Sequence, residues 1–245
     1  MHARLLASTV ARILGQLRHD RPTVALVLVM PIVLLTLVKY MFEGNDPVFQ
    51  RATLVMLGIF PFVLMFVVTS IAMLRERSSG TLERLLTTPV GKLDILFGYG
   101  LAFAVAATVQ GAVATGLAYW LLGLETAGPV GLVVLIAVAN AVLGVALGLL
   151  CSSFARTEFQ AVQFMPAVAF PQLLLCGLFV PREEMAGWLQ AISTVLPLSY
   201  SVEALLEVGA NTDPTGLMWR DLGIVVACVA GALVLGGLTL RRRSA

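Results

Sequence analysis

Apolar residues in this chain fall in long unbroken runs separated by short polar clusters. A hydrocarbon core of roughly 30 Å takes about 20 residues of helix. The runs therefore predict six membrane-spanning helices, over 22–42, 52–74, within 95–124, and over 130–154, 159–180 and 222–240. Nothing alternates with period two, as barrel strands would. Lipid offers no partner to an unpaired backbone group, so helices are the remaining way across. Ahead of the first run, Leu6, Val10, Ile13, Leu14 and Leu17 recur at helical spacing among Arg4, Arg12, Arg18 and Arg21. Residues 1–21 thus predict a basic amphipathic helix on a membrane surface. A signal peptide would carry a shorter charged region and a small-residue cleavage site, and the run that follows has none.

Residues 181–221 break the regularity. Met185, Trp188, Leu189, Ile192 and Leu196 form one helical face, Pro197 interrupts it, and a second segment runs over 198–208. Each half is too short to span, which predicts a re-entrant or interfacial hairpin on the outer side. The rival is a single Pro-kinked span. It would place Arg241, Arg242 and Arg243 outside, against the preference of Lys and Arg for the cytoplasmic side.

Composition and charge agree with this frame. Of 245 residues, 59% are hydrophobic and 12% charged, against about 25% charged in soluble domains; the mean hydropathy is +0.94. The six-span arrangement puts twelve Lys and Arg inside (Arg4, Arg12, Arg18, Arg21, Arg75, Arg77, Arg84, Lys92, Arg156, Arg241, Arg242, Arg243) and four outside (Lys39, Arg51, Arg182, Arg220). That asymmetry predicts both termini in the cytoplasm. The acids lean the other way, with Glu43, Asp46, Glu125, Glu183, Glu184, Glu203, Glu207, Asp213 and Asp221 outside. The expected fold is an all-α integral membrane protein forming one transmembrane domain over 1–245. A net charge of +2 gives no sign of a nucleic-acid partner.

The chemistry of an enzyme is missing from the sequence. There is no Ser/His/Asp arrangement, no HExxH and no cluster of metal ligands. Cys151, Cys176 and Cys228 lie in or beside apolar runs without a CxxC pair, as small buried hydrophobes do. Gly91-Lys92 has the outline of a phosphate-binding loop. Leu93 stands where Ser or Thr must meet magnesium, and Leu86 where the first glycine should be, so no ATP site of that type is expected. An ion-coupled transporter would bury an acid or base near mid-membrane, and none of the six runs carries one at its centre.

The polar residues Gln110, Asn140, Gln160, Gln163 and Gln172 lie within or at the ends of spans, where they either join helices or line a path. The fifth run concentrates them beside Pro166 and Pro171. Phe62, Phe66, Gln163 and Gln172 are the candidate residues of a substrate path, with lipid contact the other reading of the phenylalanines. Gly144 and Gly148 make a GxxxG pair in the fourth run, read as close packing within one subunit.

The loop over 75–94 contains the run R-E-R-S-S-G-T-L-E-R-L-L-T-T-P, Arg75 to Pro89. Gly80 breaks the preceding span. Leu82, Leu85 and Leu86 fall on one face of a short helix with Glu83 and Arg84 opposite, and Pro89 stops it. Such a helix docks into a groove on a soluble partner or lies on lipid headgroups. The run resembles the coupling loop of permease subunits of type-2 ATP-binding-cassette exporters. The order of elements is similar too, as is Met185 to Leu205 with its proline and aromatic, Pro197 and Tyr200. The match is closest to the drug- and antibiotic-efflux branch; polysaccharide and lipid exporters share the architecture.

The resemblance implies a permease of the plasma (inner) membrane that pairs with a second copy or a paralogue and works with a separate ATPase subunit. That partner, and not this chain, would bind ATP and Mg. It also implies that Gly80, Thr81, Leu82, Glu83, Arg84, Leu85, Leu86 and Pro89 couple the permease to the ATPase.

Overall fold

The structure, a computed structural model, describes residues 3–78, 92–155 and 157–239. Every regular element among them is helical: α1 (Ala3–His19), α2 (Arg21–Met41), α3 (Asp46–Ser78), α4 (Lys92–Trp120), α5 (Val130–Ser152), α6 (Glu158–Leu175), a 3-10 turn (Arg182–Glu184), α7 (Gly187–Ser193), α8 (Pro197–Ala210) and α9 (Gly216–Thr239).

Local chemistry sets the boundaries. Asp20 separates α1 from α2 by accepting bonds from the Thr23 amide (3.3 Å) and hydroxyl (2.7 Å), with Pro22 in the first turn. Thr157 caps α6 by accepting from the Gln160 amide at 3.1 Å, in the Thr-x-x-Gln spacing of a capping box. Gly177, with φ of +93°, follows the C-cap Cys176 and turns the chain out of the helix in the left-handed region that glycine tolerates. For that reason α6 stops at Leu175, short of the expected 159–180.

Two other helices exceed their apolar runs. α3 has 33 residues, roughly 50 Å at 1.5 Å per residue, and so overhangs a hydrocarbon core. Its N-terminal end is tied down by Gln50, which donates to the Gly123 carbonyl (3.2 Å) and accepts from the Glu125 amide (2.9 Å). Lys39 lies 4.3 Å from the centre of the Phe49 ring at the same end. α9 starts at Gly216 instead of 222. Thr215 accepts from the Met218 amide (3.1 Å) and donates to Glu207 of α8 (2.9 Å), which extends the helix upstream.

Among the described residues, five helices are long and apolar enough to cross a bilayer: Arg21–Met41, Asp46–Glu76, Phe97–Trp120, Val130–Ser152 and Gly216–Thr239. A sixth is counted only when α7 and α8, bent by 91° across a short break, are taken together. α6 is not in this set. Glu158, Gln160, Gln163, Gln172 and two prolines dilute its apolar content. The observed count is thus five to six.

The core is organised around α5, which packs on α3, α4, α8 and α9. A row spaced by four residues on α3 (Gly58, Phe62, Phe66, Ser70) faces a similar row on α5 (Asn140, Gly144, Gly148). Asn140 donates its side-chain amide to the Gly58 carbonyl. A Cβ at Gly144 would collide with the Phe62 carbonyl, and one at Gly148 would sit 2.6 Å from the Phe66 carbonyl. The Ser70 hydroxyl donates to the Gly148 carbonyl at 3.1 Å. Both rows ascend together, so the helices run parallel with their backbones nearly in contact, as small-xxx-small pairs permit.

The seam should not tolerate a side chain. Gly144→Ala and Gly148→Ala force α3 and α5 apart and each cost about 1–3 kcal/mol or more. Gly131→Ala and Gly116→Ala, where nothing lies within 4 Å, leave stability near that of the parent. Thermal unfolding of the purified protein in detergent, followed by size-exclusion chromatography, checks both halves. Equal behaviour of the two pairs would contradict the packing.

Candidate functional site

The expected coupling residues Gly80, Thr81, Leu82, Glu83, Arg84, Leu85, Leu86 and Pro89 lie outside the described residues. The structure does describe what flanks them, and the last turn of α3 is a junction of charges. Glu76 accepts from Arg12 of α1 at 3.1 Å. The same guanidinium donates to the Tyr99 hydroxyl of α4 at 2.7 Å and lies 5.8 Å from that ring's centre. The neighbouring residue Arg75 makes a two-pronged bond to Glu158 at the start of α6, at 2.9 and 3.1 Å. Two consecutive residues therefore hold three helices.

The two contacts differ in environment. Glu76 and Tyr99 are shielded, with the Glu76 side chain 13% exposed and Tyr99 buried in a cluster with Ile13, Met73 and Phe103. The apolar face of α1 (Val10, Ile13, Leu14) packs into that same cluster, and Thr9 presses on Gly98 of α4. Arg75 and Glu158 are 60% and 51% exposed. Exposed pairs contribute about 0–1 kcal/mol, so this bond adds little stability. The Arg75 guanidinium holds the Glu158 carboxyl below its ordinary range, and the pair stays ionised at neutral pH. Directly beneath it, Leu74 of α3 packs with Ala155, Ala161 and Phe164.

The four candidate path residues are separated by the fold. Phe62 and Phe66 are fully buried against α5, their ring centres 6.4 Å apart, where they pack the α3–α5 seam. Gln172 is buried and joins helices: its amide donates to the Val168 carbonyl (3.1 Å) and its oxygen accepts from the Leu198 amide (3.3 Å). Leu198 is in the first turn of α8, whose N-cap Leu196 supplies no side-chain bond, so Gln172 satisfies a donor that the helix start leaves open. Gln163 is exposed, on the face of α6 that also carries Phe159, Phe170 and Leu174.

Other polar groups are sealed inside. Both polar atoms of Gln110 and the hydroxyls of Thr53, Thr69, Thr115 and Ser201 are buried with no hydrogen-bond partner among the described residues. Asp221, expected in the outer loop, lies within α9 and is fully buried, accepting from Arg220 at 2.8 and 2.9 Å. Nearby, Arg182 donates to Glu203 at 2.5 Å and sits 5.4 Å from the Tyr200 ring centre. No group of three or more His, Cys, Asp or Glu able to hold a metal ion occurs among the described residues.

Sequence reasoning missed the roles of Arg12, Tyr99 and Glu158. Their partners lie 64, 87 and 83 residues away along the chain, and no local spacing announces such pairs. For Asp221 a signal existed, an acid directly abutting the last apolar run.

A protein-family profile described as ABC-2 type transporter matches residues 4–208, a range that runs from α1 through most of α8 and leaves out α9. The chain is 27% identical over 168 residues to "Probable multidrug ABC transporter permease YbhR" of Escherichia coli K12, a region covering 68% of this chain and 46% of that protein. It is 28% identical over 172 residues to "Linearmycin resistance permease protein LnrN" of Bacillus subtilis, covering 69% and 43%. It is 27% identical over 167 residues to "ABC transporter G family member 20" of Dictyostelium discoideum, covering 68% and 23%. The matched region is less than half the length of each of these relatives. With the family profile matching well over half of its length, the chain belongs to the ABC-2 type transporter family.

Proposed function

We propose that this chain is the membrane permease subunit of an ATP-driven exporter of hydrophobic drugs or antibiotics. The observation that carries the reading is the run from Arg75 to Pro89, which starts in the last turn of α3 and continues toward α4, in a member of this family. Relatives named as multidrug and linearmycin-resistance permeases support the substrate class. The chain is not itself an enzyme in this reading. A separate ATP-binding-cassette subunit binds ATP and Mg, and a second permease copy or a paralogue completes the assembly within membrane lipid.

The proposed mechanism follows from the charge pattern and the fold. Residues 1–21 lie along the cytoplasmic membrane surface, and both termini face the cytoplasm, as the Lys and Arg distribution favours. α6 crosses as the fifth of six spans despite its diluted apolar content, because its open face is shielded by the second permease. α7 and α8 form a re-entrant hairpin on the outer side. Leu82, Leu85 and Leu86 dock on the ATPase, with Glu83 and Arg84 as rim charges that set register. Closure of the ATPase pair pushes this loop, and the spans open outward. Gln163 on the open face of α6 is the favoured path residue, while Phe62, Phe66 and Gln172 hold the frame around it.

Three outcomes test the reading. Gentle extraction of tagged protein from native membranes brings down a stoichiometric ATPase, identified by mass spectrometry; its absence under several mild detergents, with the fold intact, counts against the assignment. Leu85→Arg or Glu83→Arg lowers export about tenfold or more while membrane insertion is unchanged, and export at the parental rate would sink the coupling role. Single cysteines at Arg18 and Arg242 resist a membrane-impermeant maleimide in intact cells, whereas those at Glu125 and Asp213 react. The reverse pattern would invert the proposed orientation.

A further inference from the structure

α6 is held at two places and weakened between them. At its inner end Arg75 bonds Glu158 at 2.9 and 3.1 Å, and Leu74 packs on Ala161 and Phe164. At its outer end Gln172 is bonded to the first turn of α8. Between the grips stand Pro166 and Pro171. Each removes an intrahelical hydrogen bond and crowds the preceding turn, which lets a helix bend there.

The inner grip sits at the end of α3, four to five positions before residue 79, where the connection of residues 79–91 begins. That turn is braced on its other side, where Glu76 bonds Arg12, which in turn bonds Tyr99. Leu74, Arg75 and Glu76 therefore link one helix end to α6 through the first two and to α1 and α4 through the third. A displacement here cannot be absorbed by the end of α3 alone, because Leu74, Arg75 and Glu76 are all engaged with other helices. On the α6 side, the compliant region is the Pro166–Pro171 stretch.

We infer that Arg75 and Glu158 are positioning residues that transmit movement of the α3 end to the inner half of α6, which swings about Pro166 and Pro171 while Gln172 keeps the outer half on α8. The direction of the force rests on the exporter reading, in which the 79–91 connection receives it from the ATPase. The pair is suited to this role by its placement. It is exposed and adds little to stability, so its loss leaves the fold in place.

The test uses the permease co-purified with its ATPase and reconstituted in liposomes, with a cysteine at Gln163 as reporter and Cys151, Cys176 and Cys228 replaced by serine. The rate of modification by a small maleimide is read with and without ATP plus vanadate. The parent complex is expected to change its rate severalfold on nucleotide trapping. Arg75→Glu and Glu158→Arg each abolish that change while ATP hydrolysis persists and the complex stays assembled. The double variant Arg75→Glu with Glu158→Arg restores it.

A merely structural role would not give rescue by exchanged charges. Single reversals that retain the full nucleotide response would overturn the inference, as would a parent complex that hydrolyses ATP without any response at residue 163. If no ATPase accompanies the parent permease, it is the exporter reading that fails, and the two failures are thereby told apart.

Discussion

The α3–α5 seam is the constraint on which the arrangement of the other helices depends. At Gly144 and Gly148 the backbone of α5 meets the carbonyls of Phe62 and Phe66 with no room for a methyl group. In a bilayer, burial against another helix gains little hydrophobic energy, because lipid tails are as apolar as the side chains they would replace. Close van der Waals contact and interhelical hydrogen bonds must supply the attraction instead. The seam provides both, with two glycines for the approach and the Asn140 and Ser70 bonds beside them. Once α3 and α5 are fixed parallel, α4, α8 and α9 pack on the remaining sides of α5, and α2 is left at the periphery with most of its surface outward.

Polar side chains then decide where the helix ends go. α8 begins inside the protein at Pro197, and the open amide of Leu198 needs an acceptor that water cannot provide there. Gln172 supplies it, so the glutamine that makes α6 less apolar also makes the 91° bend between α7 and α8 tolerable. At the other end of α8, Glu207 gathers Asn211 and Thr215, and Thr215 starts α9. The same physical rule accounts for both ends of α8: a helix end is secure where protein groups satisfy its freed backbone.

These patterns explain what could be read from the chain and what could not. The apolar runs gave the spans at 22–42 and 130–154 within two residues, because their ends are marked by local devices, Pro22 and Pro129. The break at Pro197 was legible for the same reason. The Gly144–Gly148 spacing announced a close contact, and only the fold identified α3 as the helix it meets. α3 and α9 outran their apolar stretches because helix continues through polar turns when caps and tertiary bonds support it. α6 fell short because a single glycine, Gly177, ends it. Phe62 and Phe66 were open to two readings from sequence, a path wall or lipid contact, and the structure buries them against α5. The ion pairs at the end of α3 were invisible, since a residue's charge does not reveal a partner dozens of positions away.

The contrast between the seam and the ion pairs has mechanical meaning. A glycine seam is stiff, because any shift along it drives carbonyls into Cα atoms every four residues. The Arg75–Glu158 pair is worth on the order of thermal energy, about 0.6 kcal/mol, up to ~1 kcal/mol, and both side chains are more than half exposed. Such a bond forms and breaks without threatening the fold. A protein that must change the tilt of one helix while keeping its scaffold requires this division, with tight packing along the helices that stay and weak, directional contacts on the one that moves. α6 carries two prolines, an open face bearing Gln163, and exposed charge at its inner end. It is the helix in this bundle whose chemistry fits the second role.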